Sequence, residues 1–300
     1  MSWIIFSLVG PFFWALSNIF DKYALEKLTR GIADFIFFGT IGNALCFVLL
    51  WSVFGFPPLP IPFILLAMLG GLLLNYSYIF YAKALETGEV SRVVPLFQSI
   101  PIFVLILGTL FFGESIGGSQ LVGFVVILLG GLVLTTKMET LRHFRADRNF
   151  WLMLTSSLLI ALSFLASDTV LEHTDFWTLV TYDFLGFTLA GASLLLYRPW
   201  RKEIVASVRV ASPRKYGLFL LNDVLDLTGH VFYKLALVAA PSAALVSVLH
   251  GIMPFYVLIL TIGLTIFLPS IIKEEVGWKI VLQKVLGATL IFGGLVLVNV

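Results

Sequence analysis

Residues 121–134 read Leu-Val-Gly-Phe-Val-Val-Ile-Leu-Leu-Gly-Gly-Leu-Val-Leu, a run that contains no charged or strongly polar side chain. A helix needs roughly 20 mostly apolar residues to cross the hydrocarbon of a bilayer. Extended to residues 118–137, this run has that length. Transmembrane β-strands instead alternate apolar and polar residues over about ten positions, so the stretch predicts a membrane-spanning α-helix and excludes a β-barrel.

The composition of the whole chain agrees with a membrane protein. Of its 300 residues, 59% are hydrophobic and 12% are charged, and the mean hydropathy is +1.02. Globular proteins carry about 25% charged residues, so this chain has too little charge to cover a soluble globule. The composition therefore excludes a soluble fold.

Charged and proline-rich clusters divide the chain into ten apolar segments. We predict an all-α polytopic membrane protein with ten transmembrane helices. The predicted segments are residues 3–23, 31–54, 61–85, 91–112, 118–137, 150–171, 176–197, 216–238, 242–268 and 279–299, each close to the roughly 20 residues that a spanning helix needs.

The positive charges lie on one side of these segments. Of the 19 Lys and Arg residues, 18 lie in or beside the odd-numbered connections, and the remaining one is Lys234, near the outer end of segment eight. Loops rich in Lys and Arg stay in the cytoplasm. The five odd connections are therefore predicted to face the cytoplasm, with both termini outside. Because the net charge is only +2 and the cations form no continuous stripe, nucleic acid is not an expected partner.

The two halves of the chain resemble each other on either side of the polar loop at 138–149. Pro101-Ile-Phe-Val recurs as Pro254-Phe-Tyr-Val, and Gly123 with Gly130-Gly131 recurs as Gly287 with Gly293-Gly294. Five helices per half is an odd number, so the second half enters the membrane from the opposite face. We therefore predict two inverted five-helix repeats, residues 1–137 and 150–300, joined by a basic cytoplasmic linker at 138–149. Inverted repeats are typical of secondary transporters, whose substrate site lies near the bilayer midplane.

These motifs resemble the EamA-like branch of the drug/metabolite transporter superfamily. The resemblance rests on the segment from Ala84-Leu85 to Ser91, the helix proline Pro101, Glu114 after Phe112-Gly113, and the glycines at 123 and 130–131. It implies a ten-helix carrier that moves small organic molecules, often outward, by alternating access. The compact loops and short tails resemble bacterial members, so we expect the bacterial cytoplasmic membrane.

Segment eight is the least lipid-like, with Asn222, Asp223, Asp226, His230 and Lys234 spaced by three and four positions on one face. Asp226 lies roughly 15 Å along the segment, near the midplane. An ionisable group there costs about 2.5–3.5 kcal/mol, so it normally faces a cavity or a partner. Two interpretations are open. Asp226 and His230 form a structural pair at i,i+4, or they bind substrate or exchange a proton, with Asp223 as a further proton-coupling candidate.

Other polar and aromatic residues at membrane depth extend the candidate substrate site. An isolated intramembrane Asn or Gln commonly forms an interhelical hydrogen bond, and this is the alternative for Asn75 and Gln98. Aromatic rings can enclose an organic cation or amine, and Trp14 belongs to this aromatic group. The further candidates are Asn75, Tyr78, Tyr81, Gln98, Tyr182, Asp183, Tyr233 and His250.

Prolines and glycines occupy matching places in the two halves. Pro101 and Pro254 each remove a backbone hydrogen bond, which favours either a simple bend or a hinge that lines the cavity. The glycine pairs Gly130-Gly131 and Gly293-Gly294 allow close helix packing, and a homodimer through those helices is an alternative use of them.

An enzyme is the second function that we consider. Asn222-Asp223-Val-Leu-Asp226 is similar to the aspartate motif with which intramembrane prenyltransferases hold Mg²⁺ and a pyrophosphate. A second aspartate-rich motif is missing. The zinc-protease, serine-hydrolase and Walker motifs are also absent from the sequence, so we expect no cofactor and no bound metal.

The sequence thus favours a secondary transporter rather than an enzyme. Acidic groups at membrane depth outnumber Lys there, so an amine or a zwitterion such as an amino acid is the expected substrate. We expect export or exchange, with proton coupling as one mode of drive. The expected partners are a small-molecule substrate and the lipid bilayer.

Overall fold

The computed structural model describes residues 2–112, 117–135, 147–239, 246, 249 and 251–298. Within these ranges the regular elements are all helices, and the prediction of an all-α polytopic membrane protein is confirmed. The α-helices are α1 Ser2–Lys27, α2 Ile32–Phe54, α3 Ile61–Thr87, α4 Val90–Val93, α5 Ile100–Phe112, α6 Gly118–Thr135, α7 Arg148–Leu171, α8 Phe176–Ser193, α9 Arg198–Val208, α10 Pro213–Ala239, α11 Met253–Phe267 and α12 Trp278–Val298.

Seven helical stretches of the described residues are long and apolar enough to cross a membrane. They are Trp3–Lys27, Ile32–Phe54, Ile61–Thr87, Val90–Leu110, Arg148–Leu171, Phe176–Leu196 and Trp278–Val298. Two shorter apolar helices, Gly118–Leu134 and Met253–Phe267, coincide with predicted segments five and nine. Helix α10 is 27 residues long but carries the polar face of segment eight. The count of ten spanning helices therefore stays a prediction.

The chain divides into two compact units, and each draws on both halves of the sequence. Unit 1 consists of Met1–Tyr23, Lys83–Leu154 and Val224–Val300, whereas unit 2 consists of Ala24–Ala82 and Thr155–Asp223. Both units therefore combine segments from before and after the predicted linker at 138–149.

The core of unit 1 lies between α6 and α12. Gly123 and Gly294 face each other there: a Cβ at Gly294 would lie 2.8 Å from the carbonyl oxygen of Gly123 and 2.7 Å from a side-chain carbon of Ile127. Around this contact Ile127, Ile291 and Leu295 are buried. The repeated glycines thus pack two helices of the same chain, while the homodimer stays a prediction.

The core of unit 2 involves α3, α7 and α8. Ala67, Val170, Leu179 and Tyr182 form its buried cluster. Helices α3 and α8 pack closely, because Gly186 lies against the backbone of Met68. This packing holds the middle of α8 next to α3. It thereby sets the positions of the polar residues on the two helices.

Predicted segment four is not one continuous α-helix. A short α4 is followed by a 3₁₀ stretch, Val94–Ser99, and α5 begins at Ile100 with Pro101 at its second position. Pro254 likewise occupies the second position of α11. Proline is tolerated at the start of a helix, where its missing N–H has no partner to lose. The structure therefore places both prolines in the first turn of an α-helix, and their role as hinges stays a prediction.

Candidate functional site

The polar face of α10 brings Asp226 and His230 together in unit 1. Their spacing of four places them one turn apart, and Nε2 of His230 lies 3.5 Å from Oδ2 of Asp226. This distance is longer than an ordinary hydrogen bond but short enough for an ion pair when the imidazole is protonated. The side chains are 30% and 33% exposed, so neither group is sealed inside the protein.

Trp14 of α1 covers this pair. Its Nε1 donates a hydrogen bond to the carbonyl oxygen of Asp226 over 3.2 Å, and its ring lies edge-on to the imidazole of His230 with centroids 4.9 Å apart. The ring of Tyr233 lies 5.8 Å from the indole. Asp226, His230, Trp14 and Tyr233 therefore form one cluster, which we call the α10 cluster.

A glycine makes this arrangement possible. A Cβ at Gly229 would lie 2.5 Å from Cδ1 and Nε1 of Trp14, and a Cβ at Gly10 would lie 3.1 Å from the carbonyl oxygen of Gly229. Contacts under 3.0 Å are not sustained by real Cβ atoms, so only glycine at 229 lets α1 approach α10 so closely. The approach sets the indole against the backbone between Asp226 and His230.

Further aromatic rings line the same interface of α1 and α10. Phe13 stacks on Phe232 with an interplanar angle of 3° and centroids 6.1 Å apart, and Phe6 lies 5.9 Å from the same ring. These rings pack beside the cluster at the same contact of α1 with α10. An imidazole changes charge near neutral pH, and a carboxylate beside aromatic faces suits a cation.

The predicted polar residue of α3, Asn75, is fully buried in unit 2. Its Nδ2 donates to Oγ1 of Thr40 over 3.0 Å and to the carbonyl oxygen of Phe187 over 3.2 Å. Asn75 thus joins α3 to α2 and α8, which agrees with the interhelical alternative. Its Oδ1 is buried without a hydrogen-bond partner among the described residues.

The tyrosines of unit 2 form aromatic contacts around α3 and α8. Tyr78 packs edge-on against Tyr81 at 6.0 Å and against Phe187 at 6.2 Å, and Tyr81 is fully buried. Tyr182 donates from its hydroxyl to the carbonyl oxygen of Pro57 over 2.7 Å. The structure therefore gives Tyr81 and Tyr182 packing and bonding roles within unit 2.

The two other acidic candidates also lie in unit 2, each close to a glycine. Asp183 of α8 lies beside α3, where a Cβ at Gly70 would be 3.4 Å from its Oδ1. Asp223 of α10 points at Gly42 of α2, and a Cβ at position 42 would overlap its carboxylate. Glycine at 42 therefore makes room for the Asp223 carboxylate next to α2.

The remaining candidates lie in unit 1 or outside the described residues. Gln98 is buried in the 3₁₀ stretch that precedes α5. His250 and Glu114 lie outside the described residues, as do the side chain of Lys234 and residues 138–146 of the predicted linker.

Sequence reasoning missed a charged cluster in unit 1 that joins the start of α4 to α12. Lys284 is 1% exposed, and its Nζ lies 2.9 Å from Glu89 and 3.0 Å from Glu274. Glu274 accepts hydrogen bonds from the backbone N–H and the hydroxyl of Ser91. Lys284 lies in the first turns of α12, where the charge pattern of the sequence groups it with the cations in or beside the last odd connection. The sequence feature that could have indicated a buried ion pair is Glu274, ten positions before Lys284.

The loop carboxylate of this cluster, Glu89, is held in its charged form. Burial by itself would raise its pKa, but the backbone N–H of Glu275, the charge of Lys284 and a hydrogen bond from Arg92 together lower it. The Arg92 contact measures 2.7 Å. The cluster is therefore an ion-pair network whose strength depends on an ionised Glu89.

A second missed cluster lies in unit 2 at the start of α2. Asp34 is fully buried and lies 2.9 Å from Nζ of Lys215, which is also 3.8 Å from the ring centre of Phe38. Ser207 donates to the same carboxylate over 2.8 Å, and the backbone N–H of Asp34 donates to Glu203 over 3.0 Å. These bonds join α2 to α9 and to the start of α10. The sequence signal was an aspartate in the first turn of an apolar helix.

The described residues form no cluster of metal ligands that would favour the enzyme alternative with Mg²⁺. No group of three or more His, Cys, Asp or Glu side chains lies close enough there to hold a metal ion. Mg²⁺ takes oxygen ligands, usually one or two carboxylates together with waters and substrate phosphates, so the enzyme alternative stays open to test.

Known proteins resemble this chain in sequence and in fold. Residues 1–136 match the model of the EamA-like transporter family. An uncharacterized transporter of Sinorhizobium, in the cobO 3' region, is 29% identical over 136 residues, which cover 44% of this chain and 96% of that protein. An uncharacterized protein of Methanocaldococcus jannaschii is 26% identical over 132 residues, 44% of this chain and 95% of its own.

A solved crystal structure has the same fold over nearly the whole chain. It covers 99% of this chain and 96% of its own, with a TM-score of 0.53 at 12% sequence identity. The shared fold extends beyond residue 136, where the family match ends. Together these findings agree with the resemblance seen in the sequence: residues 1–136 are similar to the EamA-like transporter family and to a protein named as a transporter, and the whole chain shares its fold with a solved structure.

Proposed function

We propose that the protein is a secondary transporter that moves a small amine or amino-acid-like metabolite by alternating access, as an exporter or exchanger. The observation that carries this proposal is the α10 cluster. Its carboxylate and imidazole lie 3.5 Å apart and are both about one-third exposed. In a membrane helix such a pair is expensive and is normally retained for binding or proton transfer.

The two-repeat organisation is part of the proposal, and the lengths of the relatives support it. The Sinorhizobium and Methanocaldococcus proteins match over nearly their whole lengths but cover only 44% of this chain. A unit of about half this chain therefore exists as a separate protein. Two such units in one chain are what an inverted-repeat transporter requires.

An aspartate lies near the start of one helix in each half of the chain. Asp34-Phe35 lies in the first turn of α2, and Asp175 directly precedes α8, which begins at Phe176. Asp175 accepts hydrogen bonds from the backbone N–H groups of Trp177 and Thr178 at the start of α8, and Asp34 accepts one from the N–H of Arg30. The same residue type thus binds backbone N–H groups at the start of corresponding helices.

The aromatic and acidic character of the α10 cluster favours a cationic group on the substrate. Trp14 and Tyr233 place aromatic rings in the same cluster as Asp226, and an ammonium gains from both a carboxylate and an aromatic face. The imidazole of His230 lies 3.5 Å from the Asp226 carboxylate, and a histidine paired with a carboxylate is a candidate for coupling transport to a proton gradient. Asp223 is a second carboxylate on the same helix for such coupling.

The surroundings of the transporter complete the proposal. The excess of Lys and Arg in the odd connections supports a cytoplasmic location for those loops and an outer location for both termini. We propose the bacterial cytoplasmic membrane, with the lipid bilayer and a small-molecule substrate as partners. A homodimer is a further proposal, and its test is the mass of the detergent-solubilised protein.

The test is a ligand screen by thermal unfolding of the purified protein in detergent. The panel holds amino acids, amines, sugars and nucleotides, together with Mg²⁺ and prenyl pyrophosphate. A ligand that binds only the folded state at 100 times its Kd adds about 2.7 kcal/mol of stability and raises the Tm. We expect an amine or amino acid to raise the Tm of the wild type and not of Asp226→Asn.

The matched control is Glu172→Gln, which removes an exposed carboxylate at the end of α7 and should retain the ligand-dependent rise. A rise caused only by a dicarboxylate or a phosphorylated compound would contradict the substrate class. Stabilisation only by Mg²⁺ with prenyl pyrophosphate would overturn the transporter proposal in favour of the enzyme.

A further inference from the structure

Helix α9 was not predicted, and it presents a cationic face that the transport site does not use. It contains 11 residues, Arg198–Val208, between α8 and α10. Arg198, Arg201 and Lys202 are exposed, as is Arg209 directly after the helix. Positions i, i+3, i+4 and i+11 lie on one side of an α-helix, so these four cations share one face.

The opposite face of α9 packs against other parts of unit 2. Ile204 and Ser207 are buried, and Ser207 and Glu203 both bond to Asp34 at the start of α2. Glu203 is the only acidic residue between 198 and 215, and it is turned toward α2. The exposed face therefore has no acidic residue to neutralise it, and within the described residues none of its four cations takes part in an ion pair.

The connections of α9 hold it along the membrane surface. The spanning stretch of α8 ends at Leu196, and α9 begins two residues later at Arg198. At its other end only four residues separate Val208 from Pro213, where α10 starts. If α10 spans the membrane as predicted for segment eight, both ends of α9 are tied to helices that meet the same face of the bilayer, and a helix of roughly 16 Å between them runs along that face.

Apolar side chains on the exposed side suit the boundary between headgroups and acyl chains. Val205 and Val208 are 39% and 38% exposed between the cations, and Leu196 and Tyr197 before the helix are 84% and 58% exposed. Interfacial helices combine such apolar residues with Lys and Arg. Clusters of four to eight cations beside a spanning helix attract anionic lipids.

We propose that α9 is an anionic-lipid binding site, in which Arg198, Arg201, Lys202 and Arg209 hold the phosphate headgroups of acidic phospholipids in the leaflet that it faces. Charge complementarity selects this occupant, because an uncompensated row of cations lies at headgroup depth beside exposed valines. The site also has a structural consequence. Lipid bound to the outer face would stabilise α9. The inner face of α9 holds Glu203 and Ser207 in hydrogen bonds with Asp34.

The experiment compares phosphatidylglycerol with phosphatidylcholine added to the delipidated full-length protein in a mild detergent. Phosphatidylglycerol should raise the Tm of the wild type by several degrees more than phosphatidylcholine, and 0.5 M NaCl should reduce the difference, because salt screens exposed charges. The test variant is Arg198→Gln/Arg201→Gln/Lys202→Gln/Arg209→Gln. Glutamine keeps a helix propensity close to that of Arg and Lys, so the helix itself should persist.

The matched control is Lys27→Gln/Arg30→Gln/Lys273→Gln/Lys279→Gln, which removes four exposed cations from other connections and changes the net charge equally. The control should keep the extra rise with phosphatidylglycerol, whereas the α9 variant should lose most of it. If the fourfold α9 variant does not fold, Arg201→Gln/Lys202→Gln should lose about half of the rise. Equal responses to the two lipids, or equal losses in the two fourfold variants, would overturn the proposal.

Discussion

The indole of Trp14 lies directly against Gly229, and a Cβ at position 229 would come within 2.5 Å of its Cδ1 and Nε1. From this position Nε1 reaches the carbonyl oxygen of Asp226. Trp14 and Asp226 are 212 positions apart in the chain, so this contact between α1 and α10 forms only in the tertiary structure. This contact defines one wall of the proposed substrate site.

Gly229→Ala should push the indole away from α10 and weaken transport without removing any functional group. The added Cβ conflicts with a rigid ring, and overpacking of this kind costs about 1–3 kcal/mol. Gly217→Ala is the control on the same helix, because a Cβ there meets nothing within 4 Å. Uptake into proteoliposomes measures both variants. Equal transport by the two would mean that Trp14 does not position the site.

Asp226→Asn separates a proton role from a binding role. If Asp226 carries the coupled proton, the amide should abolish uptake driven by a pH gradient but spare exchange of labelled for unlabelled substrate. If Asp226 binds the substrate, both activities should fall while the protein stays folded. Parallel measurements of gradient-driven uptake and counterflow in proteoliposomes distinguish these results. Full activity in both assays would contradict any role for Asp226.

Gly294→Ala should destabilise the packing of α6 against α12. Its Cβ would lie 2.8 Å from the carbonyl oxygen of Gly123, a backbone atom that cannot turn away. We expect a loss of about 1–3 kcal/mol, as for other overpacked cores, and hence a lower Tm. The neighbouring Gly293→Ala is the control, since a Cβ there meets nothing within 4 Å. It should leave the Tm unchanged, and the prediction fails if both variants behave alike.

Lys284→Met should be among the more damaging single changes in unit 1. It leaves Glu274 buried without the ammonium that lies 3.0 Å from it. Removing one partner of a buried ion pair typically costs about 3–5 kcal/mol. Lys279→Met, at an exposed position of the same helix, should have little effect. Adding Glu274→Gln to Lys284→Met should recover part of the lost Tm, because the unpaired charge is then gone.

The stability supplied by Glu89 should depend on pH in one direction. Because the contacts of Glu89 lower its pKa in the folded state, its contribution is fully present above its ordinary pKa, near 4.3. It is lost as the pH falls through the lowered folded value. The Tm difference between wild type and Glu89→Gln should therefore be constant near neutral pH and shrink below about pH 4.3. A difference that grows on acidification would contradict the ion-pair network.

Much of the fold followed from local sequence. Apolar length predicted the helices, and α2, α3 and α8 begin within about one residue of the predicted segments, since desolvation of backbone groups makes a long apolar run helical in lipid. The 3₁₀ stretch before Pro101 and the helix α9 were not predicted. The 3₁₀ stretch was missed because a proline in the sequence does not distinguish a bend from the start of a helix. Helix α9 was missed because it is short and rich in charge, so it has no long apolar run.

The polar residues show where local sequence stops being informative. The spacing of Asp226 and His230 predicted a pair because both lie on one helix, and Asn75 was correctly given an interhelical alternative. The sequence by itself determined that this protein is helical, lies in a membrane and resembles a transporter family, because hydropathy and motif order are properties of neighbouring residues. Only the tertiary structure decided that Trp14 covers Asp226, that Lys284 is buried between Glu89 and Glu274, and that Lys215 reaches Asp34. These contacts join residues from distant parts of the chain, and they form only where helix packing lowers the free energy of burying their polar groups together.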